Sequence, residues 1–432
     1  MGLFVIPLRQ HIGAPCVPIV KHKENVFRGQ CIAEPNGLGA KIHASVSGKV
    51  IKITEEAIEI EGEFTDSEEY IKIKRCDSIV ETAFEAGIVG AGGAGFPTHI
   101  KLKSGIPDGY VIANCVECEP ILNHNIKLIE ENPGLIVRGL RYAMEATKAP
   151  TGYIAIKAKN KEAIDALREE IGDSSDIEIK ELGDLYPVGE ERAIIHEIFD
   201  IWLTPEQLPM EAKSVVMNAE TLANLTRAVE DLKPVIDKDI TVAGKLKNGK
   251  ESNVLFQVPI GTPISNLIDK CGGIDGEFGE IVIGGPYTGK AEDIEKAVVT
   301  KMSGGAIVTI PLPEYKGPLG LLVCACGADE NRLRDIADKM KADVVATTNC
   351  KNLIQVRGSN KCQTPGDCPG QVQAVLELKK NGAERILIAN CSDCTNTVMS
   401  CAPDLKIPVY HHTDHIFRTV DHELSRRLSM ED

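Results

Sequence analysis

The last quarter of the chain repeats one unit four times, and that repetition limits the architectures open to it. Each unit is a β-rich run, then a turn bearing cysteine or histidine, then a helix. The runs are GLLVCACG, ADVVATTNC, RILIANCSDC and IPVYHHTDH. The helices read NRLRDIADKMKA, GQVQAVLELKKNG, a short TNTVMSCA and IFRTVDHELSRRL. Strands separated by helices pair in parallel and are covered on both faces. Residues 318–432 are therefore expected to form an open parallel-sheet α/β domain. Ligands of such sheets bind beyond the carboxyl ends of the strands. Cys324, Cys326, Cys350, Cys391, Cys394, His411, His412 and His415 all stand at or just after such ends, so they are expected to gather on one edge.

The chain has 14 cysteines in 432 residues, eight of them in this last quarter: the five above with Cys362, Cys368 and Cys401. Such a cluster in a reducing compartment signals metal binding or thiol chemistry rather than structural disulfides. A net charge of −15 argues against nucleic acid as a partner, since phosphate binding needs clustered Lys and Arg. No apolar run approaches the roughly 20 residues of a membrane span. The N-terminus lacks a basic region and a cleavage site, so it does not read as a signal peptide. The expected location is the cytoplasm.

The chain is too long for one core, and four units are expected. Residues 1–60 carry short alternating runs with glycine turns and read as a small β barrel-sandwich module. Residues 61–235 alternate helices with runs such as YVIANCVE, GYIAIKA and DIEIKEL, the pattern of a parallel-sheet α/β domain. Residues 236–310 read as an α+β module of β-grasp type, and IPLPEYKGPLG is a joint leading to the cysteine-rich domain 318–432. In GAGGAGFP, Gly90, Gly92 and Gly95 fit G-x-G-x-x-G, but a helical segment precedes them where a dinucleotide fold wants a strand. Glycines still let backbone amides approach a phosphate or a flat ring. GGPYTGKA at 284–291 imitates a P-loop, yet Ala291 stands where the metal-binding hydroxyl belongs, so nucleotide hydrolysis is not expected.

Four motifs in order, GAGGAGFPTHIK, NCVECEP, YPVGEE and NAETLANL, resemble the flavin-binding subunit of respiratory complex I. More closely still, they resemble the C subunit of the Rnf electron-transport complex. QHIGAP and IHASVSG near the N-terminus, and VPIGTPISNLI with IGGP, extend the resemblance over roughly residues 1–310. The resemblance implies FMN as cofactor, with Gly90, Gly92, Gly93 and Gly95 lining the phosphate and isoalloxazine. It implies Lys101 as a charge partner and Asn114 and Glu117 as contacts to the ribityl chain and ring. Tyr186, Gly189 and Glu190 would line the nicotinamide side, and Asn218 would hold the flavin. Ala91 and Val116 depart from the complex I pattern, which bears on NADH as donor more than on flavin.

The two ferredoxin-like runs that end the Rnf protein are missing. Cys324 and Cys326 form C-x-C, Cys391 and Cys394 form C-x-x-C, and Cys350 stands alone. These five are expected to be redox-active thiols, since a dithiol couple moves two electrons, as a hydride does. An iron–sulfur cluster is the less favoured alternative, a zinc site less favoured again, and no residue is assigned as a metal ligand. The histidines are candidates to supply protons or to hold thiolates. The chain also resembles soluble Rnf-C-like proteins found beside D-proline reductase. That implies electron flow from NADH through FMN to cysteines, and on to a thiol- or selenol-dependent reductase. A homo-oligomer is compatible with this reading. Two competing readings are a cofactor-free adaptor that docks onto the reductase and an iron–sulfur carrier. Thiol exchange needs contact, so Pro311–Gly320 is expected to act as a hinge.

Overall fold

The computed structural model describes residues 2–63, 69–93 and 95–425. Near the N-terminus, Gly2–Pro7, Ala57–Glu63, Ser47–Ile53 and Asn25–Val26 form a four-stranded antiparallel sheet in that order. Val17–Pro18, Cys31–Glu34 and Ile42–His43 form a second sheet. The two share a core that includes Phe4, Ile6, Ile32, Ile42, Val50, Ile58 and Ile60. Alternation decides which face turns inward: in AIEIEGE, Ile58 and Ile60 are buried and Glu61 and Glu63 are exposed.

Next comes a four-stranded parallel sheet in the order Ile177–Leu182, Thr151–Lys157, Tyr110–Asn114, Ser214–Asn218. Apart from the edge strand Ile177–Leu182, its strands lack polar alternation because both faces are covered. Val111 and Ala113 join one core with the helices Pro133–Thr147 and Ala219–Asp231. Ile112 joins a second core with Ile194 and Ile195 of the helix Glu191–Phe199. The carboxyl ends of the two neighbouring strands end in register at Asn114 and Asn218.

The hairpin Asp237–Gly244 and Ser252–Pro259 turns at Lys247-Asn248-Gly249, and the helix Ile264–Lys270 follows. Gly305–Val308 returns parallel to the first strand, and Ile281–Ile283 and Lys290–Glu292 complete a five-stranded mixed sheet.

The C-terminal sheet is parallel throughout, in the order Asp343–Asn349, Pro318–Val323, Arg385–Ile388, Val409–His411. The chain departs from a plain strand–turn–helix repeat after Asn349. There it inserts the hairpin Leu353–Val356 and Ser359–Cys362 before the helix Val372–Lys380. Arg357 and Gly358 both have positive φ (51° and 79°), the geometry of a tight two-residue hairpin turn. The last helix is described as Asp414–Thr419, and residues 426–428 of its expected continuation lie outside the described residues.

The C-terminal sheet is docked on the others. Glu280 beside the mixed sheet is buried, ion-paired with Arg332 and Lys339 (2.7 Å), and hydrogen-bonded to His415 Nε2 (2.8 Å). Ile416 shares a core with Ala243, Val282 and Ile307. The joint is tied down at Ile310, whose N–H donates to Thr419 Oγ1 (2.9 Å), and at Tyr315, whose N–H donates to the Met340 carbonyl (2.7 Å). Among the described residues no helix is long and apolar enough to cross a membrane.

Candidate functional site

The glycine-rich loop is closed at its base and open at its tip. Gly90 N–H donates to the Phe96 carbonyl (2.9 Å), Gly95 N–H to the Gly90 carbonyl (3.1 Å), and Ala91 N–H to Thr221 Oγ1 (3.0 Å). Gly95 has φ +61°, and a Cβ there would lie 2.3 Å from Met302 Sδ, so its glycine serves packing. Gly93 has φ +97°, and a Cβ there would meet nothing within 4 Å. A Cβ on Gly92 would rest 3.4 Å from Asn218 Nδ2. At Gly92 and Gly93 the loop is thus bare backbone beside an asparagine amide.

Asn218 caps the helix Ala219–Asp231 through Oδ1, which accepts from Glu220 N (3.0 Å) and Thr221 N (3.4 Å). Its Nδ2 is turned toward the glycine tip, and the positive end of the helix dipole stands at the same place. Asn114, its register partner, donates to the Gly189 carbonyl (2.9 Å) and ties the YPVGEE loop to the sheet. Gly189 has no room for a side chain, since a Cβ would come within 2.7 Å of Cys118 Cβ. Glu190 caps the helix Glu191–Phe199, accepting from Arg192 N (2.8 Å) and Ala193 N (3.1 Å). Lys101 Nζ reaches Glu191 (2.6 Å) and the Val216 carbonyl (2.8 Å), two residues before Asn218.

Two half-buried carboxyls stand in NCVECEP. Glu117 Oε2 accepts from Asn125 N (3.1 Å) and Asn125 Nδ2 (2.8 Å). Glu119 accepts from Tyr287 N (2.8 Å) and from Thr288 N (2.9 Å). Burial pushes the pKa of both above the ordinary carboxyl value, despite these bonds.

Tyr186 is buried and faces the C-terminal sheet. Its hydroxyl donates to the Cys326 carbonyl (2.5 Å), its N–H donates to Ser392 Oγ (3.2 Å), and its carbonyl accepts from Ser392 N (3.2 Å). Its ring stacks on Tyr287. Gly189 is tied to Asn114, and its N–H also donates to Cys118 Sγ (3.4 Å), a side chain that packs in the same cluster as Tyr186. Tyr186 joins the flavin-type sheet to the thiol-bearing one.

The cysteines gather as a network. Cys324 interacts with Cys326 and Cys350, Cys326 with Cys362 and Cys391, and Cys394 with Cys350, Cys368 and Cys391. Cys324, Cys326, Cys391, Cys394 and Cys350 close a ring, with Cys362 and Cys368 attached to it. Gln371 Nε2 points at three of the sulfurs: Cys350 (3.2 Å), Cys394 (3.4 Å) and Cys368 (3.6 Å). The protons are shared unequally. Neighbouring thiols hold Cys350 down at about 3 and Cys391 well below its ordinary value. Cys326 and Cys394 are pushed up by the same contacts. Among the described residues no group of three or more His, Cys, Asp or Glu side chains is placed to hold a metal ion.

The histidines have partners at the domain junction. His411 Nε2 meets the Asn390 carbonyl (2.8 Å), His412 Nε2 the Tyr287 carbonyl (3.0 Å), and His415 Nε2 Glu280. All three are buried, and each Nε2 is turned to a backbone carbonyl or a carboxylate. Sequence reasoning placed them on the correct edge but not in these bonds. It missed Tyr287, Cys118 and Gln371 as members of the site. Two of them carried a local signal, a tyrosine in a P-loop imitation and a cysteine in NCVECEP, but neither had a partner until the fold supplied one.

Residues 83–227 match the Nuo51 FMN-binding domain family, and residues 2–73 the RnfC barrel sandwich hybrid domain. The chain is 34% identical to the C subunit of the Na(+)-translocating ferredoxin:NAD(+) oxidoreductase complex of Acetobacterium woodii, over 71% of this chain and 72% of that protein. It is 33% identical to the C subunit of the proton-translocating complex of Clostridium ljungdahlii, over 70% and 69%. Cobalamin reductase PduS of Salmonella typhimurium is 37% identical over 54% of this chain and half of its own length.

Proposed function

Because this chain belongs to the RnfC family, we propose that it is an electron-transfer flavoprotein that carries reducing equivalents between NADH and its own thiol ring. The observation that carries the reading is the bare backbone at Gly92 and Gly93 beside Asn218, whose strand neighbour in register is Asn114. These residues fit FMN. Gly92 and Gly93 leave backbone free to approach a phosphate or ring, and the amino end of Ala219–Asp231 and Lys101 supply positive charge. Asn218 Nδ2 is available as a donor at the tip. Bound there, the flavin supplies reversible two-electron chemistry.

The rest belongs to the chain's own groups. Glu117 and Glu119, whose pKa values burial raises, stand close to the sheet edge. Two ring thiols forming a disulfide release two electrons and two protons. The acceptor we propose is a thiol- or selenol-dependent reductase, such as D-proline reductase, and the thiol ring supports that choice. We read residues 1–60, 61–235, 236–310 and 318–432 as separate domains, the third of β-grasp type, in a cytoplasmic protein. Docking of Tyr186 on Cys326 and Ser392 supports direct contact between flavin domain and ring without a swing at Pro311–Gly320.

Anaerobic titration with NADH of the FMN-loaded chain, its ring thiols first oxidised to disulfides, tests the reading, following flavin bleaching and counting free thiols. Bleaching with a gain of thiols is expected, and Cys391→Ser should reduce the gain. A chain that retains no flavin after incubation with FMN overturns it. A second reading, an iron–sulfur carrier, draws on seven thiols meeting in one network. Iron and sulfide near zero after anaerobic purification removes it.

A further inference from the structure

Resting on that thiol reading, we propose that Cys368 is the attacking thiol through which the ring exchanges with a disulfide-bearing substrate, and that Cys394 is its resolving partner. Of the seven thiols only Cys326 and Cys368 are not fully buried. The two differ in surroundings. The Cys326 carbonyl is covered by the Tyr186 hydroxyl, and the thiols of Cys324, Cys362 and Cys391 crowd its sulfur. The Cys368 sulfur sits in a cradle of polar hydrogens. Gly370 N–H donates to it (3.3 Å), Gln371 Nε2 lies 3.6 Å away, the Thr397 hydroxyl, which also reaches the Cys394 carbonyl (2.9 Å), lies at 3.0 Å, and the Cys394 thiol is its neighbour in the network. Its backbone is fixed as well, since Cys368 N–H donates to Asp393 Oδ2 (2.9 Å).

Such a cradle stabilises a thiolate, the species that attacks disulfides. The Cys394 contact, outweighing burial, and then the Thr397 and Gly370 bonds bring Cys368 down to about 6. Cys394 stays protonated, pushed up by its contacts to Cys350, Cys368 and Cys391. Attack by Cys368 breaks the substrate S–S bond, forms a mixed disulfide and releases one substrate thiolate. Cys394 then attacks the Cys368 sulfur, loses its proton, and releases the second thiolate. The net change converts two protein thiols to the Cys368–Cys394 disulfide and one substrate disulfide to two thiols. Cys350 and Cys391 both touch Cys394, so exchange can pass the disulfide inward.

The test uses the full chain, reduced with a dithiol and desalted anaerobically, with the aromatic disulfide of Ellman's reagent as probe. Neither NADH nor flavin chemistry enters, so a failure of flavin binding leaves this assignment standing and the converse also holds. At pH 6 a thiol at about 6 keeps an advantage of about tenfold over an ordinary one, after allowing for its lower intrinsic nucleophilicity. A fast phase is expected in the parent and in Cys401→Ser, lost by about that factor in Cys368→Ser. Cys394→Ser should stall after one thiolate is released, with the probe retained on Cys368 in a peptide map. Thr397→Val, which keeps the cysteine, should shift the midpoint of the fast phase to higher pH. A fast phase that survives Cys368→Ser, that vanishes in Cys401→Ser, or whose adduct maps elsewhere overturns the proposal. So does an unmoved midpoint in Thr397→Val.

Discussion

The ring of Tyr186 lies flat on that of Tyr287, with centroids 3.7 Å apart and planes inclined by 5°. Tyr186 comes from the flavin-type sheet and reaches the Cys326 carbonyl. Tyr287 comes from the mixed sheet, takes Glu119 on its N–H, accepts His412 on its carbonyl, and meets Ser425 through its hydroxyl (2.5 Å). Three sheets are thus pinned at one stack. Tyr287→Ala is expected to cost about 3–5 kcal/mol. Tyr287→Phe keeps the stack and should cost about 1 kcal/mol. Urea unfolding measures both, and faster amide exchange at 186–190 in the alanine variant would locate the damage.

Gly93 and Gly95 separate binding from folding. Gly95→Ala drives a methyl into Met302 in a left-handed backbone, and a loss of about 1–3 kcal/mol is expected. Gly93→Ala meets no atom, so only the backbone term of about 1 kcal/mol applies. FMN affinity should nevertheless fall by about tenfold or more, equivalent to about 1.4 kcal/mol, because the methyl occupies the open tip. Flavin fluorescence titration beside thermal melts distinguishes the two.

Lys301 is buried with its ammonium on the carbonyls of Lys41 (2.6 Å) and Gly87 (2.7 Å), and burial brings it down to about 8. Between pH 8 and its unfolded value near 10.4 the unfolded chain binds the extra proton, so this group's contribution to stability rises with pH. The rise is at most about 3 kcal/mol. Buried thiols with raised pKa act in the opposite sense, so the comparison must be with Lys301→Met. Over that window the parent should gain stability relative to the variant. A parallel pH course for the two would contradict this.

Glu280 gives the acid side. Burial alone would raise its carboxyl, but hydrogen bonds from His415 and Arg332 outweigh that and hold it well below the usual range. Its folded pKa is depressed, so its stabilisation is present above the unfolded value near 4.3 and is lost as pH falls further. Glu280→Gln leaves the buried Arg332 with Asp335 (2.7 Å) as its remaining carboxylate partner, at a cost of at most about 3–5 kcal/mol at pH 7. The variant should also lose less stability than the parent between pH 5 and 3, by denaturant midpoints.

Sequence periodicity carried the parallel sheets, because Val111–Ala113 and Leu321–Val323 are apolar on both faces and helices separate the runs. It carried the gathering of cysteines for a topological reason: parallel strands put all their carboxyl ends on one edge. It did not show the hairpin at Leu353–Cys362, whose Arg-Gly turn is not among the common hairpin signals. Nor did it show the stack of Tyr186 on Tyr287 or the salt bridges of Glu280, since contacts between remote segments leave no local period. The histidines illustrate the same limit. Their position was readable, while their partners depended on which sheet the edge is docked against.

The segment GGPYTGKA has the lettering of a phosphate cradle, and its amides at Tyr287 and Thr288 do close on an anion. That anion is the chain's own Glu119, and a Cβ on Gly285 would fall 2.4 Å from it. A tethered carboxylate outcompetes a diffusing one, so nucleotides arriving from solution find this nest already filled. What looks like a receptor for a ligand has become a latch that fastens one segment of the chain to another.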